Sequence, residues 1–248
     1  MIRINIKEII AAFLPEICAL CRQPVENSRD CPFCLDCFMK WEAAKREASN
    51  AAFGGVPTLK FADGDPESCG QALYLAFYDP KASDSAPDAL AFKLKQGATR
   101  TLLKFVANEY AGLLQRAAPE LFNGTIDRSD VIVTWIPRRP ESIREYGYDH
   151  MKCAAKALCR LTGFRCEQLI RRRKGSDEQK LLSADARLEN VGKSLIASDA
   201  DIGNKTVILI DDLVTTGASM KVGERILMES GARAVICAAL LATRHKGM

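Results

Sequence analysis

Hydrophobic residues recur along this chain with two periods, and the switches between them predict its elements. Residues 72–78, ALYLAFY, alternate like a half-buried strand, and residues 131–137, VIVTWIP, are a short apolar run that stops at a proline. Between them, PDALAFKLKQ and TRTLLKFVANEYAGLLQRAA set apolar residues three and four apart, as amphipathic helices require. Another helix is predicted over about residues 149–161, followed by a short strand near 164–169 and a polar, basic stretch over 171–190. The last third is the most regular. KTVILI, a polar loop, a helix over about 219–230 stopped by GAR, and AVICAALLA predict a strand, helix, strand unit. Its strands are apolar throughout, which suits a parallel sheet covered on both faces, so the fold class is α/β. Ile2, Ile6, Ile9, Ile10 and Phe13 also fall at helical spacing, and FMKWEAAKREASN reads as a charged helix.

Cysteine placement changes the picture of the N-terminal region. Five of the ten cysteines lie in CALC and CPFCLDC, and the other five are single. Two CxxC pairs let four thiolates converge on one ion, for which tetrahedral zinc is the natural occupant. Cys18 and Cys21 make the first pair. The second is either Cys31 with Cys34 or Cys34 with Cys37; the longer intervening loop favours Cys34 and Cys37. Disulfides are the competing reading, and they suit a reducing compartment poorly. Four thiolates close the shell and leave no place for water, so the metal is expected to be structural. Beyond this module the stretch AAFGGVPTLKFADGDPESCGQ is rich in Gly, Pro and Asp, the mark of a boundary. The expected division is a helix and four-cysteine module over 1–45, a linker over 46–70 and a main domain over 71–248.

Composition adds bounds. With 248 residues, 48% of them hydrophobic, the chain is long enough to bury a substantial core. A formal net charge of +4 permits phosphate or nucleic-acid binding without arguing for either. No apolar run approaches the roughly 18 residues that span a bilayer, and Glu8 and Glu16 interrupt the N-terminal stretch. Neither export nor membrane insertion is expected, and the expected location is cytoplasmic.

The candidate chemistry lies in VILIDDLVTTGAS, residues 207–219. If 207–210 is a central parallel strand, Asp211 and Asp212 stand at its carboxyl end, where ligands of open α/β sheets bind. Thr215, Thr216, Gly217, Ala218 and Ser219 then open onto a helix, whose amides and dipole suit a phosphate. Carboxylates and phosphate repel, so a group must separate them. A ribose 5-phosphate fits, its hydroxyls donating to the aspartates and its phosphate in the loop, with a divalent cation sharing the charge. Nucleotide hydrolases also place aspartates after a strand, but IGNKT lacks the adjacent Gly-Lys of a phosphate-binding loop. An ordinary polar turn capped at Ser219 is the remaining alternative.

These residues resemble the phosphoribosyl pyrophosphate (PRPP) signature of type I phosphoribosyltransferases. The CxxC pairs, VIVTWIPRRP, REYGYDH, RRRKGSDEQKLLSADARLEN and the final strand further resemble the ComF family, including competence protein F and GntX-type relatives. The resemblance implies a type I phosphoribosyltransferase-like core, a parallel sheet flanked by helices, with a small zinc-ribbon-like N-terminal module. It implies that Asp211 and Asp212 hold ribose hydroxyls and neighbouring magnesium, and that residues 215–219 hold the 5-phosphate. Pro137, Arg138 and Arg139 would form a pyrophosphate loop, and Arg144 is a further candidate contact. A flap would span 171–190, with Gln179, Arg187 and Asn190. Implied activities are phosphoribosyl transfer to an unidentified base or, alternatively, a non-catalytic part in DNA uptake with single-stranded DNA or a competence helicase. The chain departs from the family at Trp135, where a proline is usual, and at Tyr146, Asp149 and His150, where arginine, asparagine and glutamine are usual. His150 is expected to be structural rather than catalytic.

Overall fold

The computed structural model describes residues 17–25, 31–61, 70–79, 85–173 and 194–244. The N-terminal helix expected from Ile2 to Phe13 lies outside them, as do Lys174, Gln179, Arg187 and Asn190. The elements in chain order are α1 (Leu35–Ala51), β1 (Thr58–Lys60), β2 (Gln71–Leu73), β3 (Ala76–Tyr78), α2 (Ala86–Gly97), α3 (Arg100–Ala117), β4 (Val131–Trp135), α4 (Pro140–Tyr146), α5 (His150–Thr162), β5 (Arg165–Cys166), β6 (Ile170–Arg172), β7 (Leu195–Ala197), β8 (Thr206–Val214), α6 (Ala218–Glu229) and β9 (Ala234–Thr243).

One sheet runs β1-β2-β9-β8-β4-β5, with β3 also on β9. Every pairing in it is parallel except β1 with β2, so the α/β class holds. The alternating stretch 72–78 forms two short strands in one register on β9, Ala72↔Cys237 and Ala76↔Leu241. Between them Tyr74 turns its amide to the Pro57 carbonyl at 3.0 Å, which interrupts the ladder without shifting it. Helix α1 covers the charged helix read over residues 38–50 and so crosses the boundary expected at residue 45. Strand β1 lies in the stretch expected to be a linker, where Leu59 buries itself on the sheet edge. Residues 140–146, read only as part of a motif, form a short helix with Pro140 in its first turn, where a missing amide costs nothing.

Each sheet face has its own core. Val131, Val133, Trp135, Ile208 and Ile210 pack against Leu90 and Leu94 of α2, Phe105 and Tyr110 of α3, and Met151 and Leu158 of α5. Ile132, Val207, Leu209 and Val235 meet Met220, Val222 and Leu227 of α6 and the antiparallel β6–β7 pair. Burying each such side chain stabilises the fold by about 1.5–3 kcal/mol, which is why the strands read as unbroken apolar runs. Helix α6 approaches closely at Gly223, where an added Cβ would lie 2.8 Å from Leu209 Cδ2.

The connections set the position of the site. From β4 the chain crosses through α5 to β5 on one side, and from the neighbouring β8 it crosses through α6 to β9 on the other. The direction of winding therefore reverses between β4 and β8, and a crevice opens at their carboxyl ends. Register shows the opening. Pairing of β8 with β4 ends at Trp135↔Ile210, whereas its pairing with β9 continues to Val214↔Ala242.

Candidate functional site

Asp211 and Asp212 occupy the part of β8 that outruns β4. Adjacent strand residues point to opposite faces, so Asp212 continues the face of Ile208 and Ile210, toward α2 and α5. It is buried, at 7% exposure, and its Oδ2 lies 2.8 Å from Lys95 Nζ and 3.3 Å from His150 Nε2. Burial alone would raise its pKa, but His150 and Lys95 outweigh that and hold the carboxyl well below the usual range. The same pair acts on Lys95: burial lowers its pKa, and the Asp212 and Asp211 charges more than restore it, so the ammonium is held above its ordinary value. Asp211 is partly exposed. Its pKa moves the other way, pushed up by burial and by the Asp212 charge. Its backbone is fixed from below by Tyr110, whose buried hydroxyl donates to the Asp211 carbonyl at 2.6 Å.

Residues 215–217 turn the chain into α6. Gly217 is the N-cap, at φ +78, and brings no side-chain oxygen to the helix amides. In α6 only the Thr216 hydroxyl, at a long 3.5 Å from the Ala218 amide, approaches the first amides, in contrast to α2 and α3, where Ser85 and Thr99 cap the helix. Thr215 is anchored through its carbonyl, which accepts from Thr243 Oγ1 at 3.1 Å. Phe61, just beyond β1, packs directly on Gly217: a Cβ there would lie 2.3 Å from the ring. Thr215 is exposed, Thr216 and Ser219 are partly exposed, and Gly217 and Ala218 are buried.

Across the crevice, Pro137, Arg138 and Arg139 follow β4. Arg139 is exposed. Arg138 is partly committed: its Nη1 donates to the Lys95 carbonyl at 3.0 Å, and its guanidinium stacks 4.4 Å over the Tyr146 ring. Arg144 is exposed and pairs with Glu141 on its own helix at 3.2 Å, on the solvent side of α4.

The sequence reading set His150 aside and missed Lys95 and Tyr110. Lys95 sits at helical spacing in an ordinary amphipathic helix, and nothing local marks it. The departures at Trp135, Tyr146, Asp149 and His150 carried the missing signal, because they contact the same site. Trp135 Nε1 donates to Asp149 Oδ2 at 3.2 Å, and Asp149 Oδ1 accepts from the amides of Met151 and Lys152, capping α5 and aiming His150. Tyr148 accepts from the Ala98 amide at 3.0 Å and donates to the Leu94 carbonyl, which closes the end of α2 beside Lys95.

The basic run is also partly committed. Arg172 Nε donates to the Pro137 carbonyl at 2.8 Å, and Arg171 pairs with Asp199 at 3.5 Å. The Arg172 contact ties the β6–β7 pair to the loop after β4, and the single-stranded DNA reading gains no counterpart among the described residues.

Near the N-terminus Cys18, Cys21, Cys34 and Cys37 bring their sulfurs within 4.8 Å of one another. A tetrahedral zinc with Zn–S bonds of about 2.3 Å sets its sulfurs roughly 3.8 Å apart, so the donor set fits. Cys21 and Cys34 are already at 3.6 Å. One pair lies on a tight turn in which Arg22 N bonds the Cys18 carbonyl at 3.0 Å, and the other occupies the N-cap and first turn of α1. Burial opposes ionisation of Cys18, but the amides of Cys21 and Cys34 outweigh it and lower the thiol to about 6. Cys31 stands outside the cluster, its thiol pushed up by burial.

A model of the phosphoribosyl transferase domain matches residues 168–248. That segment, about a third of the chain, carries β6 to β9, both aspartates and the loop before α6. No curated protein matches the sequence. Similar solved structures include a glutamine PRPP amidotransferase from B. subtilis complexed with ADP and GMP, at 16% identity and TM-score 0.35, covering 65% of this chain and 28% of that one. The chain thus spans under a third of that protein's length. Adenine phosphoribosyltransferase from Saccharomyces cerevisiae is similar at 14% identity and TM-score 0.39, covering 81% of this chain and 89% of that one. A hypoxanthine phosphoribosyltransferase from Staphylococcus aureus is similar at 16% identity and TM-score 0.32, covering 55% and 64%. Among the described residues no helix is long and apolar enough to cross a membrane.

Proposed function

We propose that this chain binds a ribose 5-phosphate ester carrying a diphosphate at C1, PRPP, and transfers its phosphoribosyl group to an acceptor with release of pyrophosphate. The observation that carries this reading is one crevice at the reversal between β4 and β8. It gathers a partly exposed carboxyl and a glycine-capped helix N-terminus, both within the segment matched by the phosphoribosyl transferase domain model, and a cationic loop that follows β4 outside that segment. Residues 215–219 hold the 5-phosphate with the first amides of α6. Asp211 accepts from a ribose hydroxyl, while Lys95 and Arg139 face the diphosphate across the crevice. As the bond to C1 breaks, negative charge builds on the departing diphosphate, and cations fixed in advance stabilise that charge more than the ground state. Magnesium, when bound, supplies further charge neutralisation to the diphosphate, and the ligand's phosphates rather than Asp212 are its fitting donors, because the Lys95 ammonium already stands 2.8 Å from Asp212 Oδ2. The motif order resembles the ComF family, and the four cysteines are assigned a structural zinc.

Calorimetric titration of PRPP with magnesium into wild type and Asp211→Asn tests the reading, alongside pyrophosphate release over a panel of nucleobases. We expect binding by the wild type and at least a tenfold loss in the variant. Absence of binding by the wild type would refute the assignment.

A further inference from the structure

Lys95 has no place in the motifs that first marked this site, yet three contacts position it. Arg138 Nη1 donates to its carbonyl at 3.0 Å, Tyr148 donates to the carbonyl of Leu94, and the Ala98 amide returns to Tyr148 at 3.0 Å. These contacts fix the last turn of α2 so that the Lys95 side chain reaches β8 and ends 2.8 Å from Asp212 Oδ2. On the other flank, the Asp149 cap of α5 presents His150, which is 5% exposed and lies 3.3 Å from the same oxygen. Asp212 therefore has two nitrogen partners in a pocket where its side chain keeps 10% exposure. Magnesium requires a nearly octahedral oxygen shell at about 2.0–2.1 Å and gives up its waters reluctantly. A dication bound to Asp212 Oδ2 would stand against the Lys95 ammonium in a poorly solvated corner, where like charges repel strongly.

We infer that Lys95 is the resident counter-cation of Asp212, that this carboxylate is not a divalent-metal ligand in the free protein, and that Asp212 serves to aim Lys95 at the ligand's diphosphate. The Lys95 side chain keeps 38% exposure while its partner is nearly enclosed, so part of the ammonium remains open to the crevice. An ammonium has three donors, and Asp212 engages one face of it. The diphosphate contact rests on the phosphoribosyl reading given above; the counter-cation role does not.

The test uses the full chain with its cysteine site saturated with zinc, and two readouts. First, Mn2+ is titrated without PRPP, free ion being followed by electron paramagnetic resonance. Wild type is expected to take up no Mn2+ at the aspartates below about 1 mM, Lys95→Met to take up about one equivalent, and Lys95→Met/Asp212→Asn to lose it again. Uptake by wild type that Asp212→Asn abolishes would overturn the counter-cation role, and so would no uptake by a folded Lys95→Met; Lys95→Gln replaces that variant if it does not fold. Second, PRPP affinity with magnesium is measured by calorimetry. Lys95→Met is expected to weaken it at least tenfold and Lys95→Arg to recover most of the loss, while unchanged affinity in Lys95→Met would overturn the diphosphate contact. If wild type does not bind PRPP at all, the phosphoribosyl reading and the diphosphate contact fall together, and the Mn2+ result still decides the role of Asp212.

Discussion

The two neighbouring aspartates ionise in opposite senses, and stability should depend on each accordingly. Asp212 is held low, so its charge stabilises the fold above the unfolded value of about 3.9, and that contribution disappears as pH falls through the folded value. Asp212→Asn is expected to cost about 3 kcal/mol or less at neutral pH, since Lys95 still reaches solvent, and to flatten the acid limb of the melting temperature against pH. Asp211 is held high, so its charge costs stability at neutral pH, and the cost is relieved as pH falls through the folded value toward about 3.9. Asp211→Asn should therefore raise the melting temperature at pH 7, with the gain vanishing near pH 4, while PRPP binding is lost. A variant that melts lower at pH 7 would contradict this. Gly217 makes a separate case. Its φ of +78 and the Phe61 ring, 2.3 Å from an added Cβ, both oppose a side chain. Gly217→Ala is expected to destabilise by about 1–3 kcal/mol in urea unfolding.

At the scale of elements, helix ends position the site, and unusual residues hold those ends. The Trp135 indole reaches Asp149, so β4 and α5 are joined where α5 begins, and His150 follows as its first residue. Asp149→Ala is expected to lose an N-cap worth about 1 kcal/mol and, because His150 is no longer aimed, to weaken PRPP binding several-fold. Trp135→Phe should give a smaller loss of stability, and the double variant should show coupling of about 0.5 kcal/mol or more in a double-mutant cycle. Strict additivity would show that the contact carries no energy. These residues were visible in the sequence only as departures from a pattern. Each replacement is uninformative alone, since an indole, an aspartate and a histidine have meaning only once β4, α2 and α5 converge.

At the scale of the molecule, the cysteine module is continuous with the main core. Cys18, Phe33, Cys37 and Trp41 belong to the same cluster as α3, with Phe33 and Trp41 set edge-on to Phe105 at 5.6 and 6.0 Å. Lys45 of α1 also reaches Glu109 of α3 at 2.9 Å. Loss of zinc should then lower the melting temperature of the whole chain in one transition rather than release a separate module. Metal analysis is expected to show zinc in Cys31→Ser and its loss in Cys34→Ser; the opposite pattern would refute the ligand set. By itself the sequence determined what depends on neighbours along the chain: the apolar strands, the CxxC turns that aim two sulfurs at a time, and a glycine-capped loop that follows two carboxylates. Tertiary structure alone decided which partners those groups meet. The reversal between β4 and β8 depends on which strand outruns its neighbour, and the approach of Lys95 and His150 to Asp212 joins residues separated by several elements. Such distances are closed by packing of helix and sheet faces, whose energy is non-directional along the sequence and leaves no local mark at the residues it brings together.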